Sequence, residues 1–364
     1  MKVLAVIDSF KGTLTSKELG TICKNVLNEK QIETDYIAIS DGGEGFLDAI
    51  EQHIDAQKVY VDIHNVFNKK MTAYYLTLGN KAFIESAKVC GIDLLSEDEL
   101  NPFEASTFGI GELINDCISK NKKEIIVGLG GTSTNDMGIG LLEALGVLFF
   151  DTNKNKMTKL TPSQFHQIES IDFIEFNQRI KDVQITILSD VDNPLLGLSG
   201  ATYTFGTQKG IKAEDLKVFN QLHLEMSEKI VNVYKDKRNS LGAGSAGGLG
   251  FCFLQCFQAE LQLGIDFILK MMDFENLSKQ YDFIITGEGK LDTQSLHGKV
   301  IYGIIKRAEP KKVIIVTALN LLDETTIKML GVYKVKSIVP LITTKEDSLK
   351  NPKEAFEQLV KTLF

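Results

Sequence analysis

Acidic side chains follow apolar, β-favouring runs at several separate places in this 364-residue chain. The acidic residues at these strand ends are Asp8, Asp41 with Glu44, Asp190 with Asp192, and Glu288 with Asp292. One aspartate after a strand usually caps the next helix, but repetition beside glycines and lysines favours a functional role. In a parallel α/β sheet the strands end at one edge, and ligands bind in the crevice outside it. We therefore expect these carboxylates to converge on one cleft.

Lysines accompany the acidic strand ends and supply the opposite charge. Clustered carboxylates remain ionised together only where protons, lysines or a metal compensate their charge. Oxygen ligands on loops suit Mg²⁺, which typically takes one or two carboxylates together with substrate phosphates. The loop lysines are Lys11, Lys209, Lys290 and Lys299. These groups are the parts that phosphoryl transfer requires, although the chain contains no GxxxxGK[ST] motif and is therefore not a P-loop enzyme.

Two glycine-rich segments could supply backbone N–H donors. Residues 124–146, EIIVGLGGTSTNDMGIGLLEALG, predict a strand, a tight polar loop and a helix. Glycines allow close approach of a ligand, and a helix N-terminus attracts anions. The alternative is a structural turn in which Thr134, Asn135 or Asp136 caps the helix. Residues 241–250 contain a formal G-x-G-x-x-G without the preceding strand of an NAD site, so we interpret them as a second donor loop.

Periodicity and length predict an α/β protein of two domains. Apolar runs at residues 3–7 and 36–39 flank an amphipathic helix, which indicates a βαβ unit and a parallel sheet. Alternation between residues 59 and 78 indicates a β-hairpin and a domain boundary near residue 60. Another strand is expected at residues 337–342. The length exceeds what one hydrophobic core usually supports.

Composition excludes some classes of partner. The net charge of −8 argues against a broad surface for nucleic acid or anionic membranes. The five cysteines form no CxxC pair and are expected to be buried thiols. No apolar run approaches the roughly 18 residues of a membrane span, and the N-terminal run reads as a strand rather than a signal peptide. We therefore expect a cytoplasmic protein whose partners are small molecules.

Taken in order, these motifs resemble the bacterial class I glycerate kinases. The segments that carry the resemblance are DSFKGTLTS at 8–16, SDGGEG at 40–45, STFGIGELI at 106–114, GLGGTSTND at 128–136, SDVDNPL at 189–195, FGTQKG at 205–210, GAGSAGGLG at 242–250 and TGEGKLDTQSLHGK at 286–299. The resemblance implies ATP-dependent phosphorylation of D-glycerate, most often at the 2-hydroxyl. It also implies a Rossmann-like parallel-sheet domain of residues 1–60 and 275–364. A second α/β domain of residues 61–274 would be inserted in it, with the active site in the cleft between them.

The strand-end pattern and the resemblance together give a set of candidate site residues. Candidate catalytic residues are Asp190, Asp192, Lys11 and Asp292, and candidate metal ligands are Asp190 and Glu288. The sequence does not divide metal coordination from hydroxyl activation among these carboxylates. Candidate substrate- and phosphate-binding residues are Asp8, Ser9, Asp41, Glu44, Gly130, Gly131, Thr132, Asn135, Asp136, Asn193, Lys209, Gly244, Gly247, Lys290, His297 and Lys299. The expected cofactors are ATP and Mg²⁺.

The chain departs from the family pattern at a few positions. A basic residue is usual where Leu100 stands, glycine is common at Met137, proline at Thr207, and a glycine within residues 317–319. These departures leave two alternatives open. One is a kinase of another small hydroxy acid, and the other is a non-catalytic module that binds an anionic metabolite. The sequence does not indicate an oligomeric state.

Overall fold

The structure, a computed structural model, describes residues 1–231, 235–296 and 299–364. These residues form two compact units, one of Met1–Ile54 with Leu263–Phe364 and one of Asp55–Gln262. The boundaries expected near residues 60 and 275 are therefore shifted. The strand that opens the second unit already pairs from Gln57 onwards. At the other boundary, the helix that begins at Gly264 packs within the first unit, where its backbone lies against that of Asp41.

The strands alternate with helices along much of the chain. The strands are β1 (Lys2–Ile7), β2 (Glu33–Tyr36), β3 (Gln57–His64), β4 (Lys70–Leu78), β5 (Lys81–Glu85), β6 (Glu124–Gly128), β7 (Leu148–Phe150), β8 (Lys156–Met157), β9 (Ser170–Asp172), β10 (Gln184–Leu188), β11 (Glu260–Gln262), β12 (Phe283–Leu291), β13 (Val313–Asn320) and β14 (Lys334–Ser337).

Helices connect these strands and cover the sheets. The α-helices are α1 (Ser16–Glu29), α2 (Phe46–His53), α3 (Ala87–Cys90), α4 (Phe108–Ser119), α5 (Ile139–Ala144), α6 (Ile174–Ile180), α7 (Ala201–Phe205), α8 (Leu216–Val231), α9 (Ser245–Cys256), α10 (Gly264–Met271), α11 (Phe274–Ser278), α12 (Val300–Arg307), α13 (Glu324–Met329), α14 (Ile338–Leu341), α15 (Lys345–Lys350) and α16 (Pro352–Lys361). Short 3₁₀ turns lie at Ile92–Leu94, Glu97–Glu99, Pro162–Gln167, Thr207–Lys209, Ala213–Asp215, Thr293–Leu296 and Pro310–Lys312. None of the helices within the described ranges combines the length and apolar character that crossing a bilayer takes.

The first unit is built on a five-stranded sheet of order β14-β13-β12-β1-β2. Every pair of neighbours is parallel. β1 is buried on both faces, which explains its continuous apolar run. α1 begins in a capping box, because the Thr15 hydroxyl accepts from the Glu18 amide and the Glu18 carboxylate accepts from the Thr15 amide. The parallel order places the ends of β1 and β12 side by side, with Ile7 opposite Gly287.

The second unit contains a six-stranded mixed sheet of order β11-β10-β6-β5-β4-β3. β3, β4 and β5 pair antiparallel, which confirms the predicted hairpin, whereas β5, β6, β10 and β11 run parallel. Leu188 at the end of β10 lies opposite Gly128 at the end of β6. The loops that follow these two strands therefore leave the sheet at the same edge. A smaller antiparallel sheet has the order β8-β7-β9.

Two predicted strands are displaced. The run expected at 36–39 pairs with β1 at 33–36 instead, in register from Lys2↔Glu33 to Ala5↔Tyr36. The prediction of a strand at residues 337–342 is wrong, because β14 ends at Ser337 and α14 follows. Pro340 has no N–H to donate to a ladder, so pairing ends before it.

Candidate active site

The first unit has a cavity of about 380 Å³ at the carboxyl edge of its sheet. Its lining brings together four of the predicted acidic residues, namely Asp8, Asp41, Glu288 and Asp292. It also includes four other predicted residues, namely Ser9, Lys11, Lys290 and Lys299. Parallel pairing of β2, β1 and β12 produces this convergence, because each strand delivers its following loop to the same edge.

Lys11 and Asp41 form an ion pair in this cavity. Lys11 Nζ lies 3.2 Å from Asp41 Oδ2, and the Gly43 amide donates to Asp41 Oδ1 at 3.0 Å. Burial opposes ionisation of Asp41, but Lys11 and the Gly43 amide prevail and hold the pKa of this carboxyl below its ordinary value. Asp41 in turn raises the pKa of Lys11. Asp41 and Lys11 are therefore both charged at neutral pH.

The neighbouring carboxyls Asp8 and Glu288 are in a different electrostatic state. Asp8 is 7% exposed, and burial together with the charge of Asp41 raises its pKa to about 8. Burial likewise raises the pKa of Glu288. Glu288 Oε1 is buried and has no hydrogen-bond partner among the described residues. Asp8 is therefore largely protonated at neutral pH, and a cation bound beside these two carboxyls would favour their ionised forms.

Lys290 and Asp292 extend the cavity along the end of β12. Lys290 Nζ lies 2.8 Å from Asp292 Oδ2, and the Asp292 amide donates to Ser295 Oγ at 3.0 Å. Lys290 is otherwise exposed, so its ammonium is accessible to an anion. Glu44 is exposed on the loop before α2. His297 lies outside the described residues.

In the second unit, Lys209 is a buried lysine beneath the glycine-rich loop. Its side chain is 3% exposed, and Nζ donates to Thr132 Oγ1 at 2.9 Å and to the Thr134 carbonyl at 2.8 Å. Burial lowers the pKa of Lys209 to about 7, although Cys90 and Asp136 act in the opposite direction. Lys209 thus binds the loop from inside the protein, and the geometry favours a role in loop shape over direct contact with phosphate.

Asp136 lies two residues before Gly138, which is the N-cap residue of α5 in place of the predicted Thr134, Asn135 or Asp136. Its Oδ2 accepts from the amide and hydroxyl of Thr107, each at 2.8 Å, and from the Gly140 amide at 3.2 Å. Its Oδ1 accepts from the Gly138 amide at 3.1 Å. Burial nevertheless raises the pKa of Asp136. With both oxygens engaged, this carboxylate holds α4 and α5 together.

The neighbouring Asn135 is also interior. Its Nδ2 donates to Thr202 Oγ1 at 3.2 Å, and its carbonyl accepts from His223 Nε2 at 2.8 Å. Burial lowers the pKa of His223 to about 4, so the ring is neutral. Asn135 Oδ1 and Thr134 Oγ1 are buried without hydrogen-bond partners among the described residues. The sequence does not single out His223 as a site residue, because one histidine on an amphipathic helix has no second ligand at metal-binding spacing.

The predicted donor glycines of the first loop are only partly available. The Gly130 amide donates to Ser86 Oγ at 3.3 Å. The Gly131 carbonyl accepts from the Ile92 amide at 2.7 Å. Gly131 is exposed and has φ +58°, a conformation that favours glycine. The backbone of this loop is therefore tied to the segments that follow β5.

Close backbone packing accounts for the glycines of the second loop. A Cβ on Gly244 would lie 2.3 Å from the Pro194 carbonyl oxygen. One on Gly247, which has φ +68°, would lie 2.1 Å from the Thr134 carbonyl oxygen. Ala246, Gly247 and Gly248 all have left-handed backbone conformations. The loops after β6 and β10 thus pack against residues 242–248, and that packing requires glycine.

Asp190 and Asp192 lie on the loop after β10. Asp190 is half-buried and Asp192 is exposed. Asn193 shapes this loop, because its Nδ2 donates to the Ser199 carbonyl at 2.7 Å. Both carboxylates belong to the second unit, whereas Glu288, the other predicted metal ligand, belongs to the first.

The structure also shows features that the sequence motifs did not indicate. The 380 Å³ cavity has apolar lining residues, which are Phe10, Ala318, Leu319, Val339 and Leu349. Four of the five come from the end of β13, from α14 and from α15, where the sequence carries no motif. Another cavity, of about 530 Å³ in the second unit, is lined by residues such as Phe67, Phe108 and Thr161 and by none of the predicted site residues.

Carboxylates and lysines that meet at the carboxyl edge of a parallel sheet are typical of α/β enzymes that act on charged substrates such as phosphates. The model of the glycerate kinase family matches residues 3–364. A glycerate kinase of Bacillus subtilis strain 168 is 32% identical, with 100% of this chain and 97% of the relative covered. A glycerate 2-kinase of Escherichia coli K12 is 31% identical, with 96% and 93% covered.

A solved structure gives the same result. A crystal structure assigned to glycerate kinase 2 of Salmonella typhimurium LT2 has a TM-score of 0.78 and 29% identity, with 100% of this chain and 97% of that chain covered. The chain belongs to the glycerate kinase family. The predicted resemblance, the α/β fold class and the assignment as a kinase of this family are thereby confirmed.

Proposed function

We propose that this chain transfers the γ-phosphoryl group of ATP to the 2-hydroxyl of D-glycerate. The observation that carries the proposal is the family match over residues 3–364, with a relative named glycerate 2-kinase among those that cover nearly the whole chain. The electrostatics of the first unit support it, because phosphoryl transfer depends mainly on positioning and on charge stabilisation.

In this proposal the charged groups of the first unit bind the phosphates. Lys11 is held in place by Asp41, and the exposed Lys290 is oriented by Asp292. With Lys299, which also lines the cavity, these ammonium groups offset the negative charge that develops on the transferred phosphoryl group.

The cavity of the first unit also fits Mg²⁺. Glu288 Oε1 is buried without a partner among the described residues, and Asp8 stands beside it with a raised pKa. A preformed cluster of three or more acidic, histidine or cysteine ligands is absent from the described part of the chain. Mg²⁺ normally takes one or two carboxylates and completes its coordination with phosphate oxygens and water, so two ligands suffice. When bound, the ion would neutralise phosphate charge.

We further propose that Asp190 and Asp192 orient or deprotonate the attacking hydroxyl. Both follow β10 at the sheet edge where the glycine-rich loop also emerges. The proposal retains the sequence-based prediction that catalysis uses groups from both domains.

Phosphorus NMR of the purified chain with Mg-ATP and D-glycerate tests this function. A 2-phosphoglycerate signal should grow together with ADP, with authentic 2- and 3-phosphoglycerate as standards and a reaction without glycerate as the control. A 3-phosphoglycerate signal would contradict the proposed position. If ATP stays intact with D-glycerate but is consumed with another acid from a panel of small hydroxy acids, the assignment of D-glycerate as the substrate is contradicted. Calorimetric binding of glycerate without turnover would indicate a binding module.

A further inference from the structure

The 380 Å³ cavity of the first unit is lined by both charged and apolar residues. Its carboxylates and most of its lysines come from the loops after β1 and β2 and from residues 288–299 in and after β12. The end of β13, α14 and α15 contribute the apolar residues Leu319, Val339 and Leu349, together with the polar Lys345 and Ser348. Pockets for small molecules commonly measure about 300–1,000 Å³ and pair apolar walls with a few polar groups. The cavity is therefore large enough for an amphipathic ligand with one flat apolar end and one charged end.

D-Glycerate does not match this lining. It has three carbons, a carboxylate and two hydroxyls, so it offers no apolar surface to Leu319 or Leu349. Its carboxylate could pair with a lysine of the cavity, but the apolar lining would stay uncovered. A nucleotide that carries Mg²⁺ offers phosphates to the lysines, a cation to Asp8 and Glu288, and a flat base to the apolar residues.

The glycine-rich loops of the second unit compete less well for a nucleotide. Positions 244 and 247 must be glycine, because a Cβ there would lie only 2.3 Å and 2.1 Å, respectively, from a backbone carbonyl oxygen. Lys209 is directed at Thr132 and Thr134 within the protein. The glycines and the lysine of these loops would usually indicate a phosphate-binding loop. In the second unit, internal packing already explains them.

We propose that the first unit holds the adenine nucleotide in this cavity, with the base against Leu319, Val339 and Leu349 and the phosphates towards Lys11, Lys290 and Lys299. The inference rests on the proposed ATP-dependent function and adds which unit binds ATP and by which side chains. Leu349 is 57% exposed, so an incoming base can cover it without rearrangement of the core. The second unit is then left to bind the hydroxy acid.

Photolabelling of the full chain with 8-azido-ADP and Mg²⁺ tests this assignment directly. The azide stands on the base, so the labelled peptides should come from residues 9–13 or 318–349, and unlabelled ADP should suppress the label. Labelling within residues 55–262, or no labelling that ADP suppresses, would overturn the inference.

Calorimetry on a substituted chain gives a second, independent measurement. Leu349→Ser should weaken ADP binding roughly fivefold, because part of an apolar contact is lost, and leave the binding of tripolyphosphate unchanged. Met329→Ser is the matched control, since Met329 is an 82% exposed apolar residue on a helix of the same unit and outside the cavity. Unchanged ADP binding by Leu349→Ser, or equal losses for ADP and tripolyphosphate, would contradict the placement of the base.

These outcomes separate the inference from the proposed function. Labelling in the second unit by a chain that phosphorylates D-glycerate would overturn only the nucleotide site. Labelling in the first unit by a chain that leaves D-glycerate unchanged would support the nucleotide site and overturn the substrate.

Discussion

Replacement of Lys209 by methionine should remove a specific pH dependence from the stability of the second unit. Methionine has a similar length and no charge. It leaves the Thr132 hydroxyl and the Thr134 carbonyl without their donor, which typically costs about 1–3 kcal/mol per buried group. Removal of a buried ammonium acts in the opposite direction. The net change in stability at one pH is therefore small, and the informative quantity is its slope with pH.

The sign of that slope follows from the lowered pKa. Burial lowers the pKa of Lys209 to about 7 in the folded chain, whereas the unfolded lysine titrates near 10.5. Between these values the unfolded state binds more protons, so the free energy of unfolding rises with pH across the window. The limiting slope is about 1.4 kcal/mol per pH unit, and because titration near pH 7.5 is incomplete the gain is about 1–2 kcal/mol between about pH 7.5 and about pH 9.

Urea denaturation of both chains at these two pH values measures the difference. The sequence contains no tryptophan, so circular dichroism of the helices is the suitable signal. If the two units unfold separately, the relevant transition is the one that Lys209→Met shifts. The unsubstituted chain should gain about 1–2 kcal/mol more than the variant as the pH rises. Equal slopes would refute the argument that Lys209 is buried with a depressed pKa.

Further substitutions test the loops and the charged sites. Gly247→Ala should lower the free energy of unfolding by about 2–4 kcal/mol in urea denaturation, because its Cβ would meet the Thr134 carbonyl at a left-handed φ. Gly197→Ala is the control, since Gly197 also has positive φ but a Cβ there would have nothing within 4 Å. It should lower the free energy of unfolding by only about 1 kcal/mol. Equal losses of stability in the two variants would refute the steric explanation. Asp190→Asn should reduce kcat at least about a hundredfold in a coupled ADP assay, and an unchanged kcat would remove Asp190 from the chemistry. Glu288→Gln should raise the Mg²⁺ concentration for half-maximal activity at least about tenfold, and an unchanged Mg²⁺ titration would exclude Glu288 as a ligand.

The convergence of Asp8, Asp41 and Glu288 could be predicted from local pattern alone. Each follows or ends an apolar strand, and parallel strands end at one edge of a sheet, so the alternation of strand and helix was sufficient. Strand bounds were less certain, because apolar runs do not fix register. β2 pairs three residues earlier than its apolar run suggests, in register with β1.

Other features of the site depend on contacts between residues far apart in the chain. The sequence predicts phosphate binding by Lys209 because it stands in a loop with two glycines, Gly206 and Gly210, a pattern that exposed loop lysines share. Its burial arises from Thr132 and Thr134, more than 70 residues earlier in the chain. The need for glycine at position 247 likewise comes from a distant contact, because the Thr134 carbonyl of another loop leaves no room for a Cβ. A single sequence does not distinguish a glycine needed by a ligand from one needed by a neighbouring backbone.

The discontinuity of the first unit has a consequence for synthesis on the ribosome. β1 lies between β2 and β12 in the sheet, yet about 250 residues separate β2 from β12 in the chain. At typical translation rates this interval lasts roughly 10–50 seconds. Throughout it one edge of β1, which is apolar from Val3 to Ile7, has no partner, while Asp55–Gln262 is contiguous and can fold as it emerges. A nascent chain of this kind exposes an aggregation-prone strand edge until translation nears its end, which makes it a natural client for chaperones.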